Sequence, residues 1–185
     1  FHDSAEVLDE ILTKHPEVDV VQIQLNYLDW ESAGVQSRAC YEVALKHNKP
    51  IIVMEPVKGG TLAKLPEKAE DILRALRPED SMAKWAVRFA TGLEHVSVMF
   101  SGMSDMAQMN DNLSYMKDFR PMNDEEYAVT AEVCKILRRQ DMIACTACRY
   151  CEDGCPKGIA IPDLFSCLND VHTGSGNPKE AYKAF

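Results

Sequence analysis

The run IIVM at residues 51–54 reads as a buried strand: four apolar side chains in succession, most of them β-branched. Two runs of the same kind flank it, VDVVQIQL at 18–25 and VSVMF at 96–100. Helical periodicity fills the intervals. Val7, Leu8, Ile11 and Leu12 form a stripe opened by Asp3 or Ser4 as N-cap, and Cys40, Val43 and Ala44 mark a second helix from about Gln36 to His47. Met82, Trp85, Ala86, Phe89 and Ala90 recur at helical spacing behind Asp80 or Ser81, and Met106, Met109, Leu113 and Met116 do so behind Ser104. The order is therefore helix, strand, helix, strand, helix, strand, helix. Strands that are continuously apolar are expected to be covered on both faces, and each is followed by a helix, which is the pattern of a parallel α/β sheet or barrel. Three strands alone leave apolar edges open, so the expectation is a piece unstable by itself and preceded by further chain.

After Pro121 the pattern changes. Asn123 with Glu126 resembles a capping box, and Val129, Val133, Ile136 and Leu137 carry a helix to about Arg139. A boundary is expected near 122, giving a parallel α/β part, sheet or barrel, over 1–122, a connecting helix over 123–144 and a small Cys-, Gly- and Pro-rich domain over 145–185. The 185 residues are 46% hydrophobic and carry a net charge of −9. That composition fits a globular core and excludes a basic footprint for nucleic acid. No apolar stretch approaches the ~18 residues of a membrane span. Seven cysteines, four of them between 145 and 155, do not form the evenly spread set of a secreted disulfide framework. A cytoplasmic, metal-binding protein is the expectation.

Cys145, Cys148, Cys151 and Cys155, followed by Pro156, form the run C-x2-C-x2-C-x3-C-P. Thiolates are soft ligands suited to iron–sulfur clusters, and two-residue spacers let one tight loop aim three sulfurs at three corners of a cube. Gly154 is the expected source of the permissive backbone in that turn. Zinc is the competing reading, but structural zinc sites use two knuckles separated by a longer spacer. In the bacterial ferredoxin arrangement the fourth cysteine serves a second cluster, so Cys155 points to a further motif outside these residues, and two 4Fe-4S clusters in the full-length protein. Cys167 is the alternative fourth ligand to a single cluster, against the reading of a buried thiol. Ile159, Ile161 and Leu164 are candidates to shield the cluster from water. Cys40 and Cys134 sit in helical patterns and read as small hydrophobes.

The segments VQIQLNY (21–27), PIIVMEPVKGGTLA (50–63), SGMSDMAQMNDNL (101–113) and CTACRYCEDGCPKGIAIPDLF (145–165) together resemble the iron–sulfur aldo/keto reductases. In that family the last strands of a TIM-type (β/α)8 barrel are followed by a small α-helical, ferredoxin-like 4Fe-4S domain. The resemblance implies a nicotinamide cofactor, NAD or NADP. It implies that Gln22 bonds the nicotinamide amide, that Glu55, Lys58 and Gly59 belong to the loop along the cofactor, that Ser101 and Gly102 form the phosphate loop, and that Gln108 and Asn112, near Asp111, close the adenosine end. Met54 departs from the pattern, standing where many relatives have an aromatic residue. Lys58 is the candidate phosphate contact, with a merely solvated loop lysine as its alternative. No Lys or Arg lies between Val96 and Met116, so a 2′-phosphate lacks an evident counter-charge and NAD is favoured.

The family's catalytic tetrad lies on earlier strands, so no catalytic residue is assigned. Tyr27 and His2 match no tetrad position and read as packing and surface residues. The function expected is nicotinamide-dependent oxidation or reduction of a small carbonyl compound or alcohol, with a small-molecule substrate and a possible redox partner protein. The alternative is a non-catalytic electron-transfer or redox-sensing module in which the barrel is scaffold.

Overall fold

In a computed structural model, residues 1–138, 143, 145, 147–173 and 177–183 are described. The part of the expected connecting helix at 139–142 and 144, and residues 146, 174–176 and 184–185 of the expected C-terminal domain, lie outside the described residues. The chain divides into two compact units, Phe1–Cys134 and Lys135–Phe185.

The first unit is built on three parallel strands: β1 (Val21–Gln24), β2 (Ile51–Met54) and β3 (Val96–Met99), ordered β1-β2-β3. Val21 pairs with Ile51 and Gln24 with Met54, while β3 enters with a one-residue slip, Ile51 opposite Val96 and Ile52 opposite Val98. Parallel neighbours require a crossover, and helices supply it. α1 (Ala5–Lys14) packs on α2 (Ser37–Lys46), α2 on β1, and α4 (Met82–Thr91) on β3. The arrangement is that of an α/β protein with a parallel sheet, consistent with part of a TIM-type barrel.

Side-chain alternation decides which face is core. Val21, Ile23, Ile51 and Val53 are buried with Leu8, Leu12, Trp85 and Phe89. The opposite row reads differently: Gln22 and Val98 are exposed, and Phe100 just beyond β3 is 52% exposed. Among the described residues the core thus lies on the helix side of the sheet, with Ile52 and Met54 of the opposite row half-buried.

Two further differences concern helices. The interval between β2 and β3 holds a 3-10 turn (Thr61–Ala63) and α3 (Glu67–Leu76) as well as α4. α3 buries only Ala69 and Leu73, a stripe too sparse to stand out as periodicity. The cap of α5 (Met106–Met116) is Asp105 rather than Ser104, its carboxylate accepting from the Gln108 N–H at 2.8 Å. Ser4 and Ser81 cap α1 and α4 through the Val7 and Lys84 N–H groups.

α6 (Asp124–Arg138) opens on the expected capping box, with Asn123 and Glu126 each accepting the other's backbone N–H at 2.9 Å. Glu126 is also the anchor of a buried ion pair. Its carboxylate takes both Arg88 nitrogens at 2.8 and 3.0 Å and Arg77 Nε at 3.1 Å, while Arg88 also donates to the carbonyls of Arg120 and Pro121. Burial opposes the charge on Glu126, but the Arg88 hydrogen bonds, the Asn123 N–H, the Arg88 charge and the Arg77 bond outweigh it and hold the carboxyl down at about 2. Among the described residues no helix is long and apolar enough to cross a membrane.

Because the folded-state value lies below the ordinary carboxylate value of 4.5, this contribution is fully present above pH ~4.5 and is lost as pH falls toward ~2. Glu126→Gln leaves the buried Arg88 guanidinium with neutral oxygens in place of its carboxylate partner. It should cost roughly 3–5 kcal/mol in urea unfolding at pH 7, and the variant's stability should fall less steeply than wild type on acidification.

Candidate functional site

Both β2 and β3 deliver the chain to the same end of the sheet. After Met54 the loop turns through Glu55 at φ +56, Lys58 at +49, Gly59 at +60 and Gly60 at +91. Left-handed backbone is free for the glycines but costs an L-residue about 1–2 kcal/mol, so Glu55 and Lys58 must be held there. After β3 the chain runs through Ser101 and Gly102 to the N-terminus of α5. The two loops enclose a cleft of about 470 Å³, and Glu55, Gly59, Ser101, Gly102, Gln108 and Asn112 all line it. Six of the eight residues expected to bind cofactor are thus brought together.

Their side chains already have work. Gln108 accepts the Ser104 N–H at 2.8 Å and so belongs to the α5 cap. Asn112 donates to Ser101 Oγ at 3.0 Å and accepts from the Tyr115 hydroxyl, tying the post-β3 loop to the helix. Burial, reinforced by the Asp111 charge, pushes the Tyr115 hydroxyl above its ordinary value. Asp111, also in the cleft wall, accepts from Ser81 Oγ at 2.6 Å. One oxygen of Glu55, Oε2, is buried without a hydrogen-bond partner among the described residues. No lysine or arginine is among the described residues lining the cleft.

Gln22 and Lys58 are the two residues the cleft does not include. Gln22 lies on the open face of the sheet, its Nε2 3.4 Å from the sulfur of Met54. Lys58 is neither solvated nor in the cleft wall. Its ammonium is buried and meets both oxygens of Asp29 at 2.6 and 2.8 Å. Asp29 also accepts from Gln24 at 2.7 Å and Asn26 at 2.8 Å. This network escaped the sequence reading, although its signal was present: Asn26 and Asp29 are polar residues set among Leu25, Tyr27 and Leu28 directly after a strand. Tyr27 packs its ring edge-on against Phe89, and His2 is exposed.

A parallel α/β sheet with a cleft at the C-terminal ends of adjacent strands, bounded by a glycine loop and a helix start, is the arrangement of a barrel enzyme. The sequence profile described as “Aldo/keto reductase family” matches residues 2–135. The chain belongs to the aldo/keto reductase family. Comparison with curated proteins returns no significant match.

The four closely spaced cysteines follow the aldo/keto reductase domain. They lie in the second unit with α7 (Tyr150–Asp153), α8 (Ile161–Thr173) and α9 (Pro178–Tyr182). Cys148 and Cys151 are exposed, Cys145 and Cys155 half-buried, and all are free thiols. Cys145 Sγ accepts the Ala147 N–H and Cys155 Sγ the Ile159 N–H, each at 3.4 Å. Backbone N–H groups, Ile159 first and then Lys157, hold the Cys155 thiol below its ordinary value. Gly154, at φ −89, does not supply the expected permissive turn. Left-handed backbone falls instead at Ala147, Arg149 and Gly158, on both sides of Cys148 and just after Cys155. Ile159 is 42% exposed, and Ile161 and Leu164 are half-buried. Nor is any group of three or more His, Cys, Asp or Glu gathered tightly enough among them for a single metal ion. Cys40, Cys134 and Cys167 are buried, as small hydrophobes would be.

The Asn112 bridge has a measurable consequence in the aldo/keto reductase domain. Asn112→Ala leaves the buried Tyr115 hydroxyl and the Ser101 side chain without their partner, and should cost about 1–3 kcal/mol in urea unfolding. Tyr115→Phe, which removes the orphan along with its partner's bond, should cost less.

Proposed function

We propose that this protein is a nicotinamide-dependent oxidoreductase of the aldo/keto reductase type that carries an iron–sulfur domain and acts on a small carbonyl compound or alcohol. The observation that carries the reading is the cleft between the Glu55–Gly60 loop and the Ser101–Ser104 loop, in a chain of this family. Glycines let a backbone approach a ligand closely, and a helix N-terminus favours negative charge. The Glu55–Gly60 loop and Ser101–Gly102 with the start of α5 fit a diphosphate in these respects. Gln108 and Asn112 would hold the adenosine end and Gln22, beside Met54, the nicotinamide amide. The dinucleotide would supply hydride transfer. The chain's own residues orient it and bound the space in which the substrate sits. No proton donor is assigned among the described residues.

The cysteine run fits an iron–sulfur cluster by its donor set. A cubane binds each thiolate to a different iron, so its ligands stand further apart than those of one ion. Backbone N–H groups on Cys145 and Cys155 are the kind of bond that tunes cluster sulfurs. Strained backbone at Ala147 and Arg149 marks the loop as held for a purpose. Cys145, Cys148 and Cys151 would share one cluster, with Cys155 serving it or a second one, in a ferredoxin-like domain over 145–185 after a linking helix at 123–144. Clusters move electrons singly and nicotinamide moves them in pairs, so a redox partner protein belongs to the reading. A cytoplasmic location goes with it, where exposed thiols stay reduced.

Anaerobically purified protein should be brown and contain iron and sulfide in roughly 4:4 ratio per cluster. Zinc in their place would remove the iron–sulfur assignment. If Cys148→Ser and Cys155→Ser abolish one and the same paramagnetic signal, all four cysteines serve a single cluster.

Titration with NADH and NADPH tests the cleft. Gln22→Ala should weaken nicotinamide binding by about 1–3 kcal/mol through a lost hydrogen bond while leaving the cluster spectrum unchanged. Equal affinity in the variant would take Gln22 out of the site.

A further inference from the structure

Of the six residues from Glu55 to Gly60, five line the cleft: Glu55, Pro56, Val57, Gly59 and Gly60. Lys58 is the exception. It turns away from the cleft, and its ammonium is buried against Asp29 at 2.6 and 2.8 Å. Asp29 itself is 4% exposed and held by Gln24 and Asn26, so the carboxylate cannot swing without breaking three partnerships. A second tie runs to the start of the loop. The Glu55 carbonyl accepts both the Lys58 N–H and Asn26 Nδ2, each at 3.0 Å. Between these ties lie two non-glycine residues in left-handed backbone, Glu55 and Lys58, a conformation that relaxes unless the surroundings hold it.

We propose that Asp29 is a positioning residue of the dinucleotide cleft, which fixes the Glu55–Gly60 wall through Lys58 and Asn26 and so sets cofactor affinity without touching the cofactor. The inference rests on the dinucleotide reading of the cleft. A buried ion pair adds little to stability over an apolar pair of similar size, whereas removing one partner strands a charge. The pair's value here is the loop conformation it specifies. Asp29 and Lys58 come from loops after different strands, so the wall's shape depends on the register of β1 against β2.

The decisive variant replaces both partners together, Asp29→Leu with Lys58→Met, which removes the tie without leaving a buried charge. In the purified protein, NADH titration followed by nicotinamide fluorescence should show at least a tenfold rise in Kd, with no fall in the midpoint of thermal unfolding. Asn26→Ala, which cuts only the second tie, should raise Kd severalfold, and it decides the matter if the double variant fails to fold. Lys58→Arg, which keeps the charge at Asp29, should retain most of the affinity. Wild-type affinity in the folded double variant, or in Asn26→Ala where the double variant does not fold, would overturn the positioning role while leaving the cleft as a dinucleotide site. Absence of NADH binding in the wild-type protein would overturn both.

Discussion

The central strand Ile51–Met54 has both of its edges paired in parallel, and that pairing constrains everything around it. Parallel strands cannot be joined by tight turns, so each connection must climb back along the sheet as a helix. The helices then lie on one face, where Ile23, Ile51 and Val53 are buried, as are Leu12 and Trp85 of the helices. The same constraint sends every strand out at the same end. Loops that are far apart in sequence, after Met54 and after Met99, are therefore neighbours in space, and the cleft between them follows from topology before any side chain is considered.

What the side chains add is rigidity. The buried carboxylates of Asp29 and Glu126 do parallel work at different places in the aldo/keto reductase domain. Glu126 gathers Arg88 and Arg77 at the start of α6, and Asp29 gathers Lys58, Gln24 and Asn26 beneath the loop after β2. Each is a charged group withdrawn from water and matched by several donors, an arrangement that favours one conformation over its neighbours more than it raises total stability. Their positions differ in consequence. One stands at a helix entry; the other is tied to a loop that lines the cleft.

The second unit follows a different logic. Its thiols are concentrated in a short segment with backbone N–H groups directed at two of the sulfurs. Its hydrophobic side chains are less withdrawn from water than those of the first unit, with Tyr150, Leu168 and Val171 exposed.

The strands, most helices, the capping box at Asn123 and Glu126, and the parallel α/β class were legible in the sequence, because each is written in local periodicity or in residues three apart. The cysteine run was equally legible, since its spacing is itself the signal. Helix α3 was not, because only Ala69 and Leu73 reach the core and two residues make no period. Which face of the sheet is buried could not be read either: runs such as IIVM carry apolar side chains on both sides, and only the placement of the crossover helices tells them apart. The same holds for Lys58. In sequence it is a lysine in a glycine-bearing loop, available to solvent or to a phosphate; its burial depends on Asp29, twenty-nine residues earlier. Local chemistry thus determined the elements of this protein, because periodicity and caps act over a few residues, while the packing of strands and helices distant in sequence decided which charged groups meet and which residues share the cleft.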